Sequence, residues 1–209
     1  VYYSLDQIHP TPENSTLYTE PFKLSDDYYV VHAVAYKDGV FPSRMLSSQF
    51  GFTTLGTDDM FEIDKNGVIT AYTGTIKCLS IPGSINGTEV KGLAEGLFKE
   101  TDIFVVHFPD SVKTLPKELF RNNDNVVFVG GKGVTKIEES VFKDCNNLYY
   151  IEFPNVESIE TNAFRFTRQL VGVDFPKCTY INEGAFYFSS IRSVNLPSAE
   201  IICFEAFRD

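Results

Sequence analysis

From residue 79 to the end of the chain, apolar and polar positions recur with a period near 22 residues. Apolar pairs flank one intervening residue at Leu79/Ile81, Val106/Phe108, Ile151/Phe153, Val173/Phe175 and Val194/Leu196. A proline follows each, at Pro82, Pro109, Pro154, Pro176 and Pro197. A further apolar residue comes at Leu93, Leu115, Ile137, Ile159, Ile181 and Ile202, and a phenylalanine closes each unit at Phe98, Phe120, Phe142, Phe164, Phe186 and Phe207. Self-similarity at a fixed short period is the signature of a solenoid. The alternation predicts a three-residue strand with its apolar side chains inward. The proline stops that strand. Stretches such as Thr161-Asn162-Ala163-Phe164 predict a short helical turn that returns the phenylalanine to the core. No such unit can bury its apolar face alone, so the rungs must stack.

Two rungs depart from the pattern. In the third, Val127-Phe128-Val129 reads as the strand and Gly130-Gly131 replaces the proline. The first carries an insertion over 84–90 that reads as a small hairpin around Asn86-Gly87. The last rung reaches Asp209 without a polar cap, so a continuation of the chain or a second copy is expected there.

Before the repeats the pattern changes. Val1 to Leu5, Leu17 to Thr19, Phe22 to Leu24, Tyr28 to Tyr36 and Ser47 to Phe50 are rich in β-branched and aromatic residues and predict strands. Residues 51–58 carry no period and read as a linker. Phe61-Glu62-Ile63 and Val68 to Tyr72 predict a hairpin around Asn66-Gly67, suited to cap the stack.

Composition narrows the function classes. The chain carries a formal net charge of −10 and no basic stripe, which argues against nucleic acid as a partner. No apolar run reaches the roughly 20 residues a membrane helix needs, so no membrane insertion is expected of this segment. Cys78, Cys145, Cys178 and Cys203 form no Cys-x-x-Cys pair, which argues against zinc. They read as small buried hydrophobes, with one disulfide between neighbouring rungs as the alternative. Asp64-Lys65-Asn66-Gly67 has the start of a calcium loop, but Thr75 stands where a glutamate would be needed. No metal or other cofactor is expected. The histidines His9, His32 and His107 lie in different segments. His107 could approach Glu152 across two rungs, but a third partner and a nucleophile are lacking, so no enzyme is expected. Asn14-Ser15-Thr16 and Asn86-Gly87-Thr88 are formal glycosylation sequons that read more simply as turns.

Two resemblances sharpen this picture. Phe108-Pro109-Asp110-Ser111-Val112 and Val141-Phe142-Lys143-Asp144-Cys145 are similar to the BspA-like leucine-rich repeat, six times in register over 59–209. That resemblance implies a bacterial protein, secreted or on the cell surface, that works by binding and is often described as an adhesin. Tyr2-Tyr3-Ser4-Leu5-Asp6, Pro10-Thr11, Leu17-Tyr18-Thr19, Pro21, His32-Ala33-Val34-Ala35 and Lys37-Asp38-Gly39 resemble the chitobiase C-terminal-like domain, an immunoglobulin-like β-sandwich. The family carries Asp-Gly-Ser where this chain has Asp6-Gln7-Ile8, and its earlier strands are missing, so the protein is expected to extend N-terminally. The expected fold is mainly β with short helical turns. A small, incomplete immunoglobulin-like sandwich over 1–50 and a linker over 51–58 precede a leucine-rich-repeat solenoid of about six rungs over 59–209.

Side chains two and four positions before each proline should face away from the core. One column is then Ser80, His107, Phe128, Glu152, Asp174 and Asn195; the other is Cys78, Val105, Val126, Tyr150, Gly172 and Ser193. Val105, Val126, Phe128 and Tyr150 would form an apolar patch on the concave face, and such patches mark interaction sites. The ligand-binding candidates are Val105, His107, Val126, Phe128, Tyr150, Glu152, Asp174 and Asn195. The expected partner is a host or bacterial surface protein or a glycan. A non-catalytic accessory of a carbohydrate-active enzyme and a structural spacer are the alternatives.

Overall fold

The computed structural model describes residues 1–5, 10–22, 29–37, 43, 46–50, 53–170 and 172–209. His9, Lys23-Leu24, Tyr28 and Asp38-Gly39 lie outside the described residues. The chain divides into two units, Val1–Phe52 and Thr53–Asp209.

In the first unit, Thr16–Leu17, Tyr2–Ser4, Tyr29–Val34 and Leu46–Phe50 form one antiparallel sheet in that order. The aromatic strand residues stabilise it by lateral contact, Tyr3 stacking on Phe22 at 4.5 Å between ring centroids. Asn14 lies in a turn, its side-chain oxygen accepting the Thr11 N–H at 2.7 Å.

The second unit is a solenoid built on three ladders. The first is a parallel sheet of three-residue strands, Cys78–Ser80, Val105–His107, Phe128–Gly130 and Tyr150–Glu152, in register. Gly172–Asp174 pairs in the same way with Ser193–Asn195. Leu79, Val106, Val129, Ile151 and Val173 turn inward from these strands and are buried. Thr54–Leu55, expected within the linker, is instead a strand that pairs in parallel with Leu79 and Ser80. The second ladder is a parallel sheet of two-residue strands, Thr114–Leu115, Lys136–Ile137, Ser158–Ile159, Tyr180–Ile181 and Ile201–Ile202. The hairpin of Phe61–Ile63 and Val68–Tyr72 meets the stack by pairing its second strand with Gly92–Leu93. Its turn is closed by the Asp64 carboxylate, which accepts the N–H groups of Asn66 at 2.8 Å and Val68 at 2.9 Å. Those bonds favour the ionised form and hold the carboxyl below its ordinary range.

The third side corrects the expectation of helical turns. Glu118, Ser140 and Asn162 adopt positive φ, and so do Asn122, Asp144, Phe166 and Phe188 four residues further along their rungs or the next ones. Alternating handedness turns every second N–H toward the following rung. The N–H groups of Glu118, Phe120 and Asn122 donate to the carbonyls of Glu139, Val141 and Lys143 at 2.9–3.0 Å. A helix would spend those donors within itself, whereas here they form a ladder between rungs.

Within the three ladders the recurring phenylalanines stack ring on ring. The centroid spacings are 5.1 Å for Phe98–Phe120, 5.4 Å for Phe120–Phe142, 5.1 Å for Phe142–Phe164, and 4.9 Å for both Phe164–Phe186 and Phe186–Phe207. Phe108, Phe153 and Phe175, one residue before the proline position, lie against the rings of Phe120, Phe142 and Phe164 at 6.2–6.4 Å. Three residues after the recurring phenylalanine, a small polar side chain satisfies a core carbonyl. The Thr167 hydroxyl donates to the Phe164 carbonyl at 2.8 Å, Asn123 donates to that of Phe98 at 2.6 Å, and the Cys145 thiol to that of Phe120 at 3.0 Å. Burial pushes the Cys145 thiol far above its ordinary range. All four cysteines are free, with Cys145 and Cys178 buried as expected.

Candidate functional site

The first ladder aligns its outward side chains by backbone pairing, and this corrects the third rung. Val105 pairs with Phe128, and Phe128 with Tyr150; His107 pairs with Gly130, and Gly130 with Glu152. Phe128 therefore belongs to the Val105–Tyr150 column. Without a proline to fix the phase, the strand begins one residue later than expected, at Phe128. Val126 leaves the outward face altogether. It is fully buried and occupies the rung position of Ile103, Leu148 and Leu170, all buried core residues.

The expected apolar patch is closed. Val105 is 1% exposed and Phe128 6%. The Phe128 ring lies between His107 and Tyr150, at 4.9 Å and 5.6 Å between centroids. It also lies across Gly130: a side chain added at Gly130 would meet the ring at 3.1 Å. Glycine at that position lets the ring fold down along the sheet instead of standing out from it.

Exposure begins at Tyr150, which is 42% accessible, and continues through Glu152, Asp174 and Asn195. The Asn195 amide donates to the Asp174 carboxylate at 2.8 Å. Partial burial, then the neighbouring Glu152 and Asp174 charges, push the Tyr150 hydroxyl pKa up. It therefore stays protonated and can donate a hydrogen bond. The face is a row of one aromatic ring and carbonyl or carboxylate acceptors, suited to hydroxyl groups or cations.

His107 sits at the upper edge of this row. Burial pulls its pKa below the ordinary 6.5, opposed by attraction to Glu152. The unfolded chain thus binds more protons than the folded one just below that value. Stability is fully present above pH 6.5 and declines as pH falls toward the lowered folded value. A titration of the His107 ring by NMR is expected to give a midpoint below 6.5, and a midpoint above it would mean that Glu152 outweighs burial. His107 and Glu152 are two rungs apart on the ladder, as expected, with Gly130 between them. Among the described residues no cluster of three or more His, Cys, Asp or Glu side chains could hold a metal ion.

A second feature escaped the sequence reading. Two residues after the recurring phenylalanine, Asn122 and Asp144 are followed in the next two rungs by Phe166 and Phe188. All four have positive φ. The signal was present as two aromatics in a column of Asn and Asp, a change without meaning until the backbone handedness is known.

Comparison with known proteins agrees with this architecture. Residues 91–209 match the BspA type leucine rich repeat region in six copies, and residues 1–50 match the Fn3 associated family. Among solved structures, the chain is similar to the leucine rich repeat protein of T. pallidum, with 24% identity and a TM-score of 0.62 over 69% of this chain and 72% of that one. It is also similar to a leucine rich cell surface protein from Faecalibacterium prausnitzii, with 23% identity and a TM-score of 0.61. That match covers 84% of this chain but only 46% of the F. prausnitzii protein. At these identities the likeness concerns the fold. No curated protein matches the chain significantly.

Proposed function

Because the chain belongs to the BspA-type leucine-rich repeat family, we propose that it is a non-catalytic binding module displayed at a bacterial surface. It recognises a protein or glycan through the outward face of the three-residue strand ladder. The observation that carries this reading is the exposed row Tyr150, Glu152, Asp174 and Asn195 beside a buried, closed patch at Val105 and Phe128. A side chain as large as Tyr150 left 42% exposed amid hydrogen-bonding groups is the usual make-up of a recognition surface. The cell-surface description of the F. prausnitzii relative supports the location. The module order is an N-terminal unit of the Fn3-associated or chitobiase C-terminal-like kind, then the solenoid. The Fn3-associated match over 1–50 favours a second reading, an accessory region of a larger carbohydrate-active enzyme.

The test is an array of glycans and extracellular matrix proteins probed with this chain and with the triple variant Tyr150→Ala, Glu152→Gln, Asp174→Asn. The variant is expected to lose its ligand while its melting temperature stays within a degree or two of the parent's, since exposed substitutions change stability by about 0.5 kcal/mol at most. Equal binding by both proteins would exclude this face.

A further inference from the structure

Phe166 and Phe188 hold a conformation that bulky side chains avoid. Their φ angles are +61° and +50°, in the left-handed region where Asn122 and Asp144 stand one and two rungs earlier at +61°. Asn and Asp tolerate that region, whereas for phenylalanine it is a genuine outlier. The surrounding ladder imposes it: the Phe166 N–H donates to the Tyr187 carbonyl at 3.0 Å and the Phe188 N–H to that of Arg208 at 2.7 Å. Strain of this kind clusters at functional sites.

The two rings form a rigid wall. They stack at 5.7 Å with an interplanar angle of 6°, and Phe188 is 46% exposed. The Arg165 guanidinium braces them, 4.9 Å from the Phe166 centroid and 4.8 Å from that of Tyr187. Tyr187 in turn meets Phe188 edge-on at 4.6 Å. The wall faces a cleft of about 660 Å³, within the range of small-ligand sites. Arg168 and Arg192 line it, both exposed, and among the described residues neither is ion-paired. Asp209 is the one carboxylate on the lining, and it leaves the cleft with a net positive charge. This is unlike the chain at large, whose formal charge is −10; four of its six arginines lie between 165 and 208.

We propose that this cleft is a second binding site, distinct from the strand-ladder face, and that its ligand is a uronic-acid oligosaccharide. The exposed ring face accepts the apolar face of a pyranose. The guanidinium groups of Arg168 and Arg192 pair with the carboxylates of successive sugar units, for which the planar fork of arginine is better shaped than lysine. Both demands, a flat apolar face and a carboxylate on the same unit, are met by a uronic acid; a neutral sugar lacks the second and an acidic peptide the first.

The probe is hexagalacturonate, titrated calorimetrically into the 209-residue chain at low salt, with maltohexaose and hexaglutamate as controls. Only hexagalacturonate is expected to bind. Arg168→Gln with Arg192→Gln should weaken it by about tenfold or more, from loss of charged hydrogen bonds. Phe188→Asn should weaken it to a similar degree while keeping or raising the melting temperature, because asparagine suits the left-handed backbone. Tyr150→Ala should leave it unchanged. The proposal fails if hexagalacturonate does not bind, if either control binds as well, if the arginine and Phe188 variants bind normally, or if Tyr150→Ala weakens binding as much as they do.

Discussion

Phe164→Ala lowers the stability of the solenoid by about 3–5 kcal/mol, the range for truncating a buried phenylalanine. Phe164 is fully buried, and its ring is sandwiched between Phe142 at 5.1 Å and Phe186 at 4.9 Å. Phe175 closes a further side at 6.2 Å. Truncation therefore opens a cavity that touches three rungs. The rungs cannot collapse into it, because three ladders of backbone hydrogen bonds hold their spacing. Phe207→Ala is the internal control. That ring is 36% exposed and stacks only on Phe186, so its loss is expected to cost less than half as much. Denaturant midpoints at unchanged slope would measure both. Equal effects at the two positions would contradict the rung alignment.

Asn123→Ala is expected to cost about 3 kcal/mol, since each buried polar group left unpaired costs about 1–3 kcal/mol. The Asn123 side chain is 2% exposed in its rung. Its amide N–H groups reach the carbonyls of Phe98 at 2.6 Å and Thr101 at 3.1 Å. Its oxygen accepts the N–H groups of Asn125 at 2.8 Å and Val126 at 3.1 Å. One side chain thus ties two rungs together and shapes the approach to the next strand. Asn123→Asp keeps the acceptor and loses the donors, so thermal melting should place it between the parent and Asn123→Ala. An alanine variant as stable as the parent would show that the loop re-forms these bonds by itself.

The inward columns of the solenoid were legible because one proline and one phenylalanine per rung fix the phase. Where the proline was missing, the phase was lost. With a side-chain period of two, a shift by one residue exchanges the buried and outward sets. Val126 and Phe128 were misplaced for that reason, and the patch they were to build is closed. Phe128 could not have been recognised as covered from its own strand, because its ring lies across Gly130 and against His107 and Tyr150. The third side was misread differently. Gly96, Asn162 and Gly184 are residues that accept positive φ, but Glu118 and Glu205 in the same column are not, and they adopt it too. The ladder between rungs overrides local preference there. Thr54 and Leu55 carry no period of their own, and become a strand only because Cys78–Ser80 offers them an edge.

The third ladder also gives the stack a direction. Each turn sends N–H groups forward, from Gly96 and Phe98 to Lys117 and Leu119, and so on through Phe188 to Arg208. Along this side the peptide dipoles add as they do in a helix, with the positive pole toward the last rung. The solenoid is therefore an electrically polar rod whose two ends are chemically unlike. A cap engineered beyond Phe207 has to offer oxygen acceptors, one engineered ahead of Gly96 has to offer donors, and exchanging the two would place like against like at both ends.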